Sequence, residues 1–283
     1  MTADGRPSEW TLSTGPRGVL LRVCSWGPPS DPPLVILHGF LEQGAAWDQV
    51  ARRLSRRVHA PDQRGHGRSG HIGSGGFYHF WDYVSDVDAL VQQLGGKVDL
   101  LGHSMGGTVA CQFAGTRPEC VRRLILVEGL GPPDMTDTVL DRARRFLTDR
   151  RRGPRHGALE GVEQGVSRVL KYNPGIPREV AELMVSRTTR PLSDGGVVWT
   201  WDPLHRARSP VPFQAALFAK CLENIESPTL CVRGGASRFQ VEDEGDRFAR
   251  LHDARSEVIP DAGHLVHHDA PEALAALIEE HLA

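Results

Sequence analysis

The sequence predicts an α/β fold: a mostly parallel sheet flanked by helices, with a helical segment inserted late in the chain. Three observations predict it. Short apolar runs alternate with amphipathic stretches, the pattern of a parallel sheet covered on both faces. The stretch 134–226 breaks that alternation. The chain has 283 residues, 40% of them apolar, which fits one domain carrying an insertion and a sizeable core.

Each element follows in order. Residues 10–14 and 18–25 read as antiparallel strands at one edge. Leu34 to Leu37 is a buried strand, and Val58 to Ala60 a weaker one. Phe80, Val84, Val87, Val91 and Leu94 recur at helical spacing, and Gly95 and Gly96 supply a stop. Val98 to Leu101 and Leu124 to Val127 are strands, with a helix from Thr108 to Ala114 between them. The stretch 134–226 is helical in pattern, rich in arginine and broken by prolines such as Pro177, Pro191 and Pro203. Thr229 to Val232 and Glu257 to Ile259 complete the strands. Leu274, Leu277, Ile278 and Leu282 mark a last helix, with Pro271 near its start.

Composition excludes several classes. The formal net charge is -2 and the pI is about 6.7, without the basic excess of a nucleic-acid binder. Seven arginines cluster between Arg142 and Arg155, where they read as the solvated face of a helix, with an anionic docking patch as the alternative. Five cysteines without regular spacing are no disulfide framework. Met1 to Trp10 is polar and unlike a signal peptide, and no apolar run is long enough to span a membrane. These features predict a cytoplasmic protein, monomer or homodimer, whose partner is a small molecule rather than nucleic acid or membrane.

The chemistry centres on Gly102-His103-Ser104-Met105-Gly106-Gly107. Gly-x-Ser-x-Gly after a strand and before a helix suits a nucleophile on a sharp turn. Neighbours without Cβ allow strand and helix to approach, and the helix N-terminus aims free N–H groups at developing negative charge. With 31 glycines, the pentapeptide alone has an appreciable chance origin. The strand before it and the apolar helix after it argue against that. The Gly-x-Gly-x-x-Gly spacing of dinucleotide binders is not met.

With three further motifs, the chain resembles the α/β-hydrolase family along nearly its whole length. Pro33 to Phe40 looks like the family's third strand and oxyanion loop, Asp62 to Ser69 like its fourth-strand turn, and Asp261-Ala262-Gly263-His264 like its histidine loop. The resemblance implies an eight-stranded sheet and a cap inserted after the sixth strand. The core is then 1–133 and 227–283, and the cap 134–226. By position it implies an oxyanion hole from the backbone N–H groups of Phe40 and Met105, with His38 and Gly39 shaping the loop. Asp62 to Ser69 would hold a turn and take no part in the chemistry.

A serine hydroxyl needs an adjacent base. His264 is the best of 13 histidines, following the last strand and a tight turn. His267 and His268 lie one turn on and read as supporting or surface residues, since no metal-binding pattern accompanies them. His103 is expected to pack behind the site. The acid departs from the family pattern. Ser237 stands where an aspartate is expected after the seventh strand, and it carries no charge to stabilise imidazolium. Glu128, at the end of the sixth strand, is the preferred substitute. Glu242 or Asp243 is the second choice and an incomplete dyad the third. Asp261 is expected to fix the turn.

The resulting expectation is a serine hydrolase acting on a carboxylic ester of modest size, without metal or organic cofactor. A lactone, a thioester or a carbon–carbon bond beside a carbonyl uses the same machinery. Serine as nucleophile disfavours haloalkane and epoxide chemistry, which needs a carboxylate there. Trp199, Trp201, Phe213 and Phe218 are candidate pocket residues. A ligand-binding receptor without turnover is the rival from another class, supported only by Ser237.

Overall fold

The computed structural model describes residues 7–16, 18–73, 75–153, 157–173, 175–193, 195–207 and 209–283. Arg155 of the basic cluster and the first six residues of the polar N-terminus lie outside them.

Two strands, β1 (Ser8–Ser13) and β2 (Leu20–Trp26), begin the chain as an antiparallel pair. Next come β3 (Leu34–Leu37), α1 (Asp48–Ala51), β4 (Val58–Pro61), α2 (Phe80–Gln93), β5 (Val98–His103), α3 (Met105–Thr116) and β6 (Val121–Val127). The segment after β6 holds α4 (Val139–Arg152), α5 (Val162–Tyr172), α6 (Arg178–Thr188), the hairpin β7 (Thr189–Pro191) and β8 (Val197–Trp199), and α7 (Ala215–Glu223). The chain then returns through β9 (Thr229–Gly234), α8 (Glu244–Phe248), β10 (Ala254–Ile259), α9 (Val266–Asp269) and α10 (Pro271–Leu282).

Eight strands form one sheet in the order β1-β2-β4-β3-β5-β6-β9-β10. From β4 to β10 every pairing is parallel. Parallel strands need long crossovers, and the helices in those crossovers cover both faces. Alternation along the central strands divides the core. Val35, Leu37 and Leu100 pack on one face with Val84, Val87 and Leu90 of α2 and Phe113 of α3. Leu34, Ile36 and Leu101 pack on the other with Leu274 and Ile278 of α10. Each fully buried aliphatic side chain contributes about 1.5–3 kcal/mol by leaving water.

The inserted segment has a small core of its own at Val166, Ala181 and Val185. It is not purely helical, because β7 and β8 close a short antiparallel hairpin. Arg144, Arg145, Arg150, Arg151 and Arg152 are exposed on α4, and the last three complement the negative end of its dipole. All five cysteines are unpaired and buried. Among the described residues, no helix is long and apolar enough to cross a membrane.

The parallel strands aim their C-terminal ends at one edge of the sheet, where open α/β sheets place ligands. Leu101 sits in the middle of β5 beneath that edge, fully buried. Leu101→Ala is expected to cost roughly 2–5 kcal/mol. Urea unfolding should show a lower midpoint with an unchanged slope.

Candidate active site

Ser104 occupies the junction of β5 and α3 with φ 51° and ψ -115°. A non-glycine residue there is strained, and persists only where its surroundings impose it. The neighbouring glycines impose it. A Cβ on Gly102 would meet the Gly106 backbone, one on Gly106 the Leu37 carbonyl, and one on Gly107 the Cα of Gly129. The Ser104 N–H donates to the Val127 carbonyl at 3.0 Å, tying the turn to β6.

The hydroxyl of Ser104 lies 3.0 Å from Nε2 of His264, and Nδ1 of His264 lies 3.0 Å from Oε2 of Glu128. The carboxylate only accepts, so Nδ1 carries the proton and Nε2 is free to accept from Ser104. Glu128 follows β6 directly and is itself at positive φ, 53°. Its side chain is buried. Its Oε1 accepts the Gly234 N–H at 2.8 Å, and Oε2 accepts the Ser237 hydroxyl at 2.7 Å. Burial pushes the Glu128 carboxyl up, but hydrogen bonds from His264, Ser237 and Gly234 outweigh it and hold the group below the ordinary carboxylate range.

Ser237 is therefore a partner of the Glu128 carboxylate. Its hydroxyl donates to Glu128 and accepts the Phe239 N–H at 3.2 Å. The downstream carboxylates are engaged elsewhere or exposed. Asp243 pairs with Arg247 at 2.9 Å, and Glu242 faces solvent. Asp261 is also exposed, and the carboxylate that fixes the histidine turn is Asp269, which accepts the Gly263 N–H at 2.8 Å. That corrects the turn role read for Asp261.

On the other side of Ser104 lies the loop after β3. His38 Nδ1–H donates to the Gly39 carbonyl at 2.7 Å, and Nε2 accepts the Gln63 N–H at 2.9 Å. Leu41 takes positive φ, turning the chain sharply after Phe40. Among the described residues the Phe40 N–H has no backbone acceptor, and Met105, first residue of α3, has none within its helix. Both amides are thus available to an anionic oxygen. Asp62 binds the Gly44 and Arg68 N–H groups, holding its turn as expected.

A cavity of about 520 Å³ opens over Ser104, lined by Phe40, Met105, Leu204, Phe213, Phe218 and Phe239 among others. Two of the expected pocket aromatics are not there. Trp199 and Trp201 stack on each other and line a separate cavity, of about 690 Å³. The hairpin β7–β8 carries Trp199 away from Ser104.

His267 and His268 are buried, not on the surface. With Glu42 they form a group that could hold a metal ion, with Nε2 of His267 and of His268 3.0 and 3.9 Å from Glu42 Oε1. The arrangement present is a hydrogen-bonded one, with His267 donating to Glu42 at 3.0 Å. The roles of Ser237 and Glu42 had no signal in the sequence beyond their places beside recognisable motifs.

Residues 34–277 match the model of the alpha/beta hydrolase family. A serine hydrolase-like protein of Danio rerio is 27% identical over 277 residues, covering 93% of this chain and 85% of its own. A 3-hydroxybutyrate-oligomer hydrolase of Cupriavidus necator is 30% identical over 261 residues, covering 84% and 85%. A solved thioesterase domain from the curacin biosynthetic pathway is 32% identical with a TM-score of 0.83, covering 96% of this chain and 98% of its own.

The geometry predicts which carboxylate matters. Glu128→Gln should slow phosphonylation of Ser104 by a fluorophosphonate on the order of 10³-fold or more. Asp243→Asn should leave the rate within about threefold, since Asp243 serves Arg247. The reverse ranking would refute the assignment. Ser237→Ala should fall between them, losing one charge-assisted hydrogen bond worth about 1.5–3 kcal/mol. The depressed Glu128 carboxyl stabilises the fold above its unfolded pKa, and that contribution fades as pH falls through the folded value. Ser237→Ala raises the folded value, so acid unfolding followed by circular dichroism should begin at higher pH.

Proposed function

The chain belongs to the α/β-hydrolase family and is a hydrolase, and we propose that it cleaves carboxylic esters of small to medium size through an acyl-enzyme on Ser104. The observation that carries this reading is the unbroken hydrogen-bonded line from Ser104 through His264 to Glu128.

In the proposed reaction His264 takes the Ser104 proton as the hydroxyl attacks the ester carbonyl. Glu128 stabilises the imidazolium that forms. The N–H groups of Phe40 and Met105 donate hydrogen bonds to the tetrahedral oxyanion. His264 then protonates the leaving alcohol, and water, activated by the same histidine, releases the acid. General-base catalysis supplies about 10²–10⁴-fold in such reactions, and each oxyanion donor about 10²–10³-fold.

The segment 134–226 acts as a cap and sets the acyl group, between core segments 1–133 and 227–283. In support, Met135, Leu204, Phe213 and Phe218 from that segment line the cavity over Ser104. Their apolar character favours an acyl chain of several carbons. The Cupriavidus relative's name describes cleavage of hydroxybutyrate oligomers, an ester chemistry, which supports the ester reading. A thioester is the second reading, favoured by the likeness to a thioesterase domain. The receptor reading loses its support, since it rested on Ser237 lacking a charge and Glu128 stands beside the histidine instead.

Purified protein should hydrolyse p-nitrophenyl butyrate or hexanoate faster than the acetate, because each buried methylene contributes about 0.8 kcal/mol. Ser104→Ala should abolish both turnover and fluorophosphonate labelling. Absence of turnover and labelling in the unmodified protein would overturn the enzyme reading. Faster cleavage of a butyryl thioester than of the matched oxygen ester would favour the second one.

A further inference from the structure

A second carboxylate–histidine pair lies behind the elbow, outside the Ser104 line. Glu42 sits in the loop after β3 and His103 directly precedes Ser104, and both are buried. Glu42 Oε2 accepts the Gly39 N–H at 2.8 Å and lies 3.1 Å from His103 Nδ1. The other nitrogen of His103, Nε2, lies 2.9 Å from the backbone carbonyl of His264.

The neighbours fix the protonation of His103. A carbonyl oxygen has no proton to give, so Nε2 must carry one. Glu42 already accepts the Gly39 N–H on Oε2 and faces His267 through Oε1, the setting of an ionised carboxylate, and facing such an acceptor Nδ1 carries a proton too. With both nitrogens protonated, the ring is an imidazolium. His38 is the contrast within the same loop. One of its nitrogens faces a carbonyl and the other an amide N–H, so it is neutral. His267 donates one proton to Glu42 Oε1, stacked on Trp47 at 4.5 Å, and is neutral as well.

We propose that Glu42 and His103 form a buried ion pair that holds the oxyanion loop and the catalytic-histidine loop in register with the nucleophile. Gly39, which precedes Phe40, hangs from the carboxylate. The backbone of His264 hangs from the imidazolium. His103 is covalently next to Ser104, so one pair of opposite charges ties together the three chain segments that must converge. Both ring nitrogens of His103 and both carboxylate oxygens of Glu42 are hydrogen-bonded, which meets the condition for burying opposite charges. A neutral pair would put the shared proton on Oε2, the oxygen that already accepts the Gly39 N–H, and so weaken the bond that holds the loop. The charges around His103 agree with this. Burial pushes its pKa down, but Glu42, the His264 carbonyl and Glu128 outweigh that and raise it. Glu42 is held well below the carboxylate range, against the effect of burial, by His267 and His103. Both residues position groups and touch no substrate.

The kinetic part rests on the esterase reading, and the spectroscopic part does not. In ¹⁵N-histidine-labelled wild-type protein at pH 7.5, both His103 ring nitrogens should carry protons, whether or not any ester is hydrolysed. A neutral His103 with one bare nitrogen would overturn the proposal even if the protein is an active esterase. For activity, Glu42→Gln should lower kcat about 10–100-fold with KM within twofold, the loss expected from misplacing reacting groups by about 1 Å. Glu42→Asp should recover part of that loss by restoring the charge. A folded Glu42→Gln protein with kcat within twofold of wild type, or a change confined to KM, would also overturn it. If Glu42→Gln does not fold, the nitrogen protonation in the wild type still decides.

Discussion

The site depends on one hydrogen bond, from His264 Nδ1 to the buried carboxylate of Glu128. A buried carboxylate without partners is costly, and a histidine without an acid has no fixed tautomer. Each solves the other's difficulty. Glu128 accepts three donors, from a side chain on the histidine loop, from the backbone amide of the last residue of β9 and from a hydroxyl after it. The carboxylate is thereby ionised and immobile before any substrate arrives, the preorganisation that electrostatic catalysis requires.

The sheet makes that hydrogen bond geometrically attainable. Ser104 and Glu128 end adjacent parallel strands, and both take positive φ. Such backbone costs of order 1–3 kcal/mol per residue and needs a rigid surround. Close contact between Gly107 and Gly129 lets the two turns pack against each other, and the Ser104 N–H links one to the other. The place of Glu128 at the end of β6 brings it next to β5, the strand that leads into Ser104. The loop after β9 keeps a supporting part through Ser237, whose hydroxyl donates to Glu128 where a second carboxylate would repel it.

Features governed by local pattern were legible in the sequence. The central strands are apolar runs, α2 and α10 have clear helical periodicity, and the glycine-flanked serine sits between a recognisable strand and helix. Glu128 was legible because a carboxylate closing an apolar strand must find a partner. Features governed by distant contacts were not. Ser237 meets its carboxylate across 109 positions, and His103 meets Glu42 across 61. His267 and His268 read as supporting or surface residues, but Trp47 and Glu42 cover the first and Glu42 lies beside the second, and both are buried. Asp269 fixes the turn in place of the nearer Asp261, since α9 carries it back over Gly263. The tryptophans left the pocket because a two-strand hairpin, too short to show as a pattern, redirects them.

The most direct test of the central hydrogen bond is the proton NMR resonance of His264 Nδ1–H, assigned by ¹⁵N labelling at neutral pH. A proton shared with a buried carboxylate resonates far downfield and exchanges slowly. The account predicts that this signal is present in wild type and in Asp243→Ala, and absent or shifted strongly upfield in folded Glu128→Ala. A downfield signal that survives in Glu128→Ala and disappears in Asp243→Ala would contradict it.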